Sequence, residues 1–108
     1  MQTNERIITP VLLGADLNCY NVARAFHEAY GVISYAFGRY PIGATMHSRI
    51  VRFTAVENFN NSSVMVDTLD EFAREHNRRG ETLILIGCTD EYVNLIIANK
   101  PLLHRYVT

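Results

Sequence analysis

VLLGADLNCYNVARAF, Val11 to Phe26, passes from an apolar run through a small-residue loop into a helical pattern. The run Pro10-Val-Leu-Leu-Gly14 has no polar alternation, which suits a strand covered on both faces, as in parallel sheets. After the loop, Cys19, Val22, Ala23, Phe26, Ala29 and Tyr30 recur at three and four and predict one apolar helix stripe. Asp16 or Asn18 can cap the start of that helix, and Gly31 can end it in the left-handed conformation.

The same alternation continues to the end of the chain. Val32–Phe37 reads as a second strand, and Gly38–Ser48, with two glycines and a proline, reads as a long functional loop. Arg49–Val56 predicts a third strand. Ser62 or Ser63 can cap a second helix, with the stripe Met65, Val66, Leu69, Phe72, Ala73 and His76 and a stop at Gly80. Thr82–Gly87 is the strongest strand signal. A third helix is expected from Asp90 to Asn99, broken by Pro101 and followed by a short turn over Leu102–Tyr106.

The order β-α-β-β-α-β-α predicts an α/β, Rossmann-like three-layer unit. Its mostly parallel sheet should have four strands, the first and fourth central, with helices on both faces. In such sheets ligands bind beyond the carboxyl ends of the strands. Two loops belong there: Gly14-Ala15-Asp16-Leu17-Asn18 and Gly87-Cys88-Thr89-Asp90. Gly14, Ala15, Asp16, Asn18, Gly87, Cys88, Thr89 and Asp90 are therefore the candidate substrate-binding residues, with Asp16 and Asp90 expected to cap helices and line one cleft.

Composition narrows the functional classes. The 108 residues suit one domain, with 48% hydrophobic and 19% charged residues. A net charge of −1 offers no electrostatic case for nucleic acid or an anionic membrane. No apolar run nears the roughly 20 residues that span a bilayer. The two cysteines, far apart with no secretory signal before them, suggest reduced thiols and a cytoplasmic protein.

Several motifs are incomplete. A dinucleotide fingerprint needs three glycines, and this loop has Gly14 alone. A phosphate loop needs a lysine after its glycine, but the single lysine is Lys100. Arg24 follows Cys19 one residue too early for a phosphatase loop, and Cys19 sits on the apolar stripe as a buried thiol. Cys88 stands before a helix N-terminus, which lowers a thiol pKa, although a packing role is sufficient for it. The four histidines show no metal spacing.

Pro10–Asp16, Asn18-x-Tyr20, Ala23–Phe26 and Glu28–Gly31, followed by Ser48–Val51 and Leu85–Tyr92, together resemble the opening of ATP-grasp carboxylate–amine ligases, the D-aspartate ligase type in particular. The resemblance runs from about Pro10 to Leu103. It implies that residues 1–108 are a single pre-ATP-grasp domain, the N-terminal piece of a longer ligase. It further implies a carboxylate activated as an acyl phosphate and passed to an amine. ATP and magnesium would be held by missing central and C-terminal domains, which would be the partners of this one. The fragment alone would then bind no cofactor, contribute no catalytic or metal-ligating residue, and be inactive. Asp16 and Asn18 would orient an amino-acid substrate or a neighbouring domain, and a homo-oligomer is allowed. The alternative is a free-standing small-ligand-binding or interaction module of the same fold. A third reading makes Cys88 a thiol phosphoryl carrier.

Overall fold

Val11, Leu12 and Leu13 have no solvent-exposed surface, because the strand that carries them lies inside the sheet and is covered from both sides. The computed structural model describes residues 7–14, 16–40, 48–77 and 80–108. Four strands, β1 (Ile7–Leu13), β2 (Ser34–Gly38), β3 (Val51–Ala55) and β4 (Glu81–Gly87), are ordered β3-β2-β1-β4 and pair in parallel throughout. Among the described residues three α-helices connect or follow them: α1 (Leu17–Tyr30), α2 (Ser62–Asn77) and α3 (Asp90–Ala98). The expected α/β, Rossmann-like class and the element order are both found.

Side-chain alternation along each strand divides the core in two. On one face Leu12 and Ala36 pack with Cys19 and Ala23 of α1 and with Val51. On the other, Val11, Leu13, Phe37, Leu83 and Leu85 pack with Met65, Leu69 and Ala73 of α2 and with Tyr92 and Ile96 of α3. The α2 stripe is therefore as expected. The α1 stripe is shorter than its periodicity implied: Ala29 and Tyr30 are exposed.

The fourth strand was expected at the centre and lies at an edge. Its apolar run reflects coverage by α2 and α3 on one face, while Ile84 and Ile86 on the other are only half-buried. Apolarity reports how well the faces are covered and says little about the number of neighbouring strands. The outer side of β4 is partly closed by the end of the chain. The Leu85 N–H donates to the Val107 carbonyl at 2.8 Å, and the Val107 N–H donates to that of Leu83 at 2.8 Å. Such pairing blunts an exposed edge.

Two capping assignments also change. Neither Ser62 nor Ser63 caps α2; the Asn61 Oδ1 accepts from the Ser63 N–H at 3.0 Å and the Val64 N–H at 3.3 Å. Thr89 caps α3, its side chain accepting from the Tyr92 N–H at 3.4 Å, and Asp90 is the first helical residue instead. Asp16 caps α1 as expected, accepting from the Cys19 N–H at 3.0 Å. Gly31 ends α1 at φ 69°.

Candidate functional site

β1 leads through α1 to one neighbour, β2, while its other neighbour, β4, is reached through α2 on the opposite face. The chain thus changes its winding direction at β1. The carboxyl ends of β1 and β4, paired as Leu13 with Gly87, flank the crevice that this reversal opens. A cavity of about 280 Å³ lies at that edge, lined by Gly14, Asp16, Gly38, Arg39, Tyr40, Thr89, Glu91 and Tyr92.

Backbone geometry shapes this edge. Gly14 adopts φ 134°, outside the range of ordinary L residues, and its N–H donates to the Phe37 carbonyl at 2.8 Å. That bond carries the pairing with β2 one residue past the end of β1. The crevice receives the N-terminal ends of α1 and α3, whose free N–H groups favour negative charge. Its side chains carry both signs. Asp16 and Glu91 supply carboxylates, and Glu91 also accepts from the Asn60 amide at 3.4 Å. Arg39 is the cation; its guanidinium lies 5.1 Å from the Tyr40 ring centroid and donates to the Tyr40 hydroxyl at 3.1 Å. The Tyr92 phenol is raised in pKa, first by burial and then by Glu91, with Arg39 acting in the opposite sense.

Of the residues singled out from the sequence, Gly14, Asp16 and Thr89 line the cavity. Ala15 lies outside the described residues. Asn18 is exposed on the first turn of α1 and is not part of the lining. Gly87 sits beneath α3: a Cβ built on it would fall 2.7 Å from the Val93 amide nitrogen, so it allows the helix to approach. Cys88 packs on the α1 side of the sheet. Asp90 is exposed, and Glu91 is the α3 acid that faces the cavity. Asp16 therefore shares the cleft with Glu91 and not with Asp90. Gly38, Arg39, Tyr40, Glu91 and Tyr92 were not singled out. A signal for them existed, because Gly38–Tyr40 open the long loop and Glu91-Tyr92 close the Leu85–Tyr92 segment.

No lysine lines the cavity. Two carboxylates face it, one glycine turns its β1 loop, and the chain's single lysine, Lys100, lines a separate apolar hollow with Val93, Ile96 and Ile97. Among the described residues no three His, Cys, Asp or Glu side chains are grouped to hold a metal ion. No helix among them is long and apolar enough to cross a membrane.

A parallel four-stranded sheet with a charged crevice at its winding reversal defines a Rossmann-like α/β domain. The chain is a relative of the N-terminal region of D-aspartate ligase: it is 36% identical over 104 residues to that protein of Enterococcus faecium (strain Aus0004). The match covers 95% of this chain and 24% of the relative, so the chain spans about a quarter of the curated relative's length. No family model matches the sequence. No solved structure matches it either.

Proposed function

We propose that the chain is the amino-acid-binding, pre-ATP-grasp domain of an ATP-dependent carboxylate–amine ligase, with D-aspartate as the leading substrate. The observation that carries this is the charge pattern of the cleft, where Asp16 and Glu91 stand with Arg39 around one cavity. An amino acid presents an ammonium and a carboxylate a few bonds apart. Asp16 and Glu91 match the first; Arg39 matches the second through paired N–H donors. The name of the relative supports an acidic amino acid.

The nucleotide, held by the central and C-terminal domains of the complete ligase with magnesium, supplies the phosphoryl group that activates a carboxylate as an acyl phosphate. This chain binds and orients the amino acid and leaves that phosphoryl transfer to the other domains. The exposed Ile97 and Leu102, 66% and 60% accessible, offer apolar surface for those domains. The test is kinetic. In the complete ligase, Arg39→Ala and Glu91→Gln should each raise the KM for the amino acid about ten- to a hundredfold, the worth of a charge-assisted bond, and leave the KM for ATP unchanged. A raised KM for ATP alone, or tight Mg-ATP binding by residues 1–108, would overturn the reading and favour a free-standing nucleotide module.

A further inference from the structure

Cys19 and Cys88 are 69 positions apart in the chain and meet at Gly14. The Cys88 N–H donates to the Leu13 carbonyl at 3.0 Å, which carries the β4–α3 loop over the end of β1. A Cβ built on Gly14 would lie 3.4 Å from the Cys88 Cβ. From the other side, the Cys19 thiol donates to the Gly14 carbonyl at 3.3 Å. Both side chains belong to the apolar cluster beneath α1, Cys19 fully buried and Cys88 partly open to solvent. We propose that Cys19 and Cys88 form a reversible intramolecular disulfide, a peroxide-responsive clasp that joins the two loops of the ligand cleft.

The two thiols are unequal in a way that suits the chemistry. The neighbouring Cys19 thiol lowers the pKa of Cys88, against burial and Asp16. Cys19 is pushed far up, first by the neighbouring Cys88 and then by burial. Cys88, partly open and at the threshold of α3, is thus the thiolate that reacts. It attacks one oxygen of a hydroperoxide; the O–O bond breaks, hydroxide or alkoxide leaves, and Cys88 becomes a sulfenic acid. The thiolate charge that held the proton on Cys19 is then gone. Cys19 gives up its proton, its sulfur displaces the sulfenic oxygen as water, and the S–S bond forms. With hydrogen peroxide, two thiols and one peroxide yield one disulfide and two waters. Disulfides in reducing compartments are typically transient and redox-sensing, in keeping with this use.

The clasp acts on the site without being part of its lining. The Cys19 N–H is the donor to the Asp16 cap, and Cys88 directly precedes Thr89. A bond between the sulfurs ties Asp16 to Thr89 through two short backbone links, independently of which ligand the cleft takes.

The experiment treats the reduced chain with a few equivalents of hydrogen peroxide and follows intact mass, free thiols and non-reducing gels. Expected are the loss of two hydrogens, no remaining free thiol, a monomeric band, a linked peptide containing Cys19 and Cys88, and full reversal by dithiothreitol. Cys19→Ser should stop at a Cys88 sulfenic acid that dimedone traps, and Cys88→Ser should leave Cys19 unreacted. Peptide mapping of the wild-type chain decides the matter even if a variant misfolds. A disulfide between two chains, over-oxidation of Cys88 with Cys19 still a free thiol, or two unreacted thiols would each overturn the proposal.

Discussion

The Val93 amide nitrogen lies where a side chain on Gly87 would be: a Cβ built there would be 2.7 Å from it and 3.0 Å from the Tyr92 carbonyl carbon. The obstacle is backbone and cannot rotate away. Gly87→Ala should therefore push α3 outward, costing about 1–3 kcal/mol as other overpacked sites do. Because Glu91 and Tyr92 ride on that first turn, ligand affinity should fall with stability. Urea unfolding and a ligand titration check both; an alanine variant of wild-type stability would show that the helix shifts without cost.

Asp16 has two separable roles. Asparagine caps a helix about as well as aspartate, and alanine costs ~1 kcal/mol. Asp16→Asn should keep the melting temperature near wild type but weaken binding of a substrate ammonium, whereas Asp16→Ala should lower both. Asp90→Asn, at an exposed position outside the cleft, should change neither. Thermal melts paired with ligase kinetics separate the cases. Unchanged kinetics in Asp16→Asn would leave capping as its whole role.

At the opposite end of the sheet, Glu81 gathers a buried polar network. Its carboxylate accepts from the Thr9 hydroxyl and lies 3.0 Å from the His76 Nδ1, with both His76 and Glu81 side chains 7% exposed. Phe72 stacks on the imidazole at a centroid distance of 4.0 Å. Glu81→Ala strands two polar groups in the core and should cost roughly 3 kcal/mol. Denaturant unfolding measures it, and ligand affinity at the far edge should hold in the folded fraction.

Tyr106 anchors the chain end by donating its hydroxyl proton to the Leu69 carbonyl at 2.7 Å. Burial, then Asp70, pushes its phenol well above the usual value of 10.0. The unfolded chain therefore loses this proton first as pH rises. Stability from Tyr106 is fully present below about pH 10 and falls as pH climbs toward the folded value. Tyr106→Phe should cost about 1 kcal/mol at neutral pH for the lost bond. The gap to wild type should narrow above pH 10, since phenylalanine cannot ionise. Melting temperatures across that range test the sign; a gap that widens would contradict it.

The sequence by itself determined the class of fold, because local physics carries that information. The continuous run Val11–Leu13 needs two covered faces, and the Met65–Leu69–Ala73 spacing needs a helix. Gly14 and Asp16 mark a loop that turns and then caps. The order of these elements leaves few parallel topologies, and the β1 and β4 loops could be placed at one edge from it. What the sequence could not decide depends on contacts between distant segments. Whether β4 has one neighbour or two is invisible in its apolarity, since faces are buried by helices and edges by strands. The choice among Asn61, Ser62 and Ser63 as a cap turns on where the helix axis starts, which packing sets. The replacement of Asp90 by Glu91 in the cleft follows from the rotation of α3 on the sheet, where Gly87 lets the helix come close. Arg39 enters the site only because β2 is hydrogen-bonded beside β1, and the meeting of Cys19 with Cys88 arises only once β4 is laid along the other side of β1. Each of these is a relation between segments far apart in the chain, and only the folded structure brings them together.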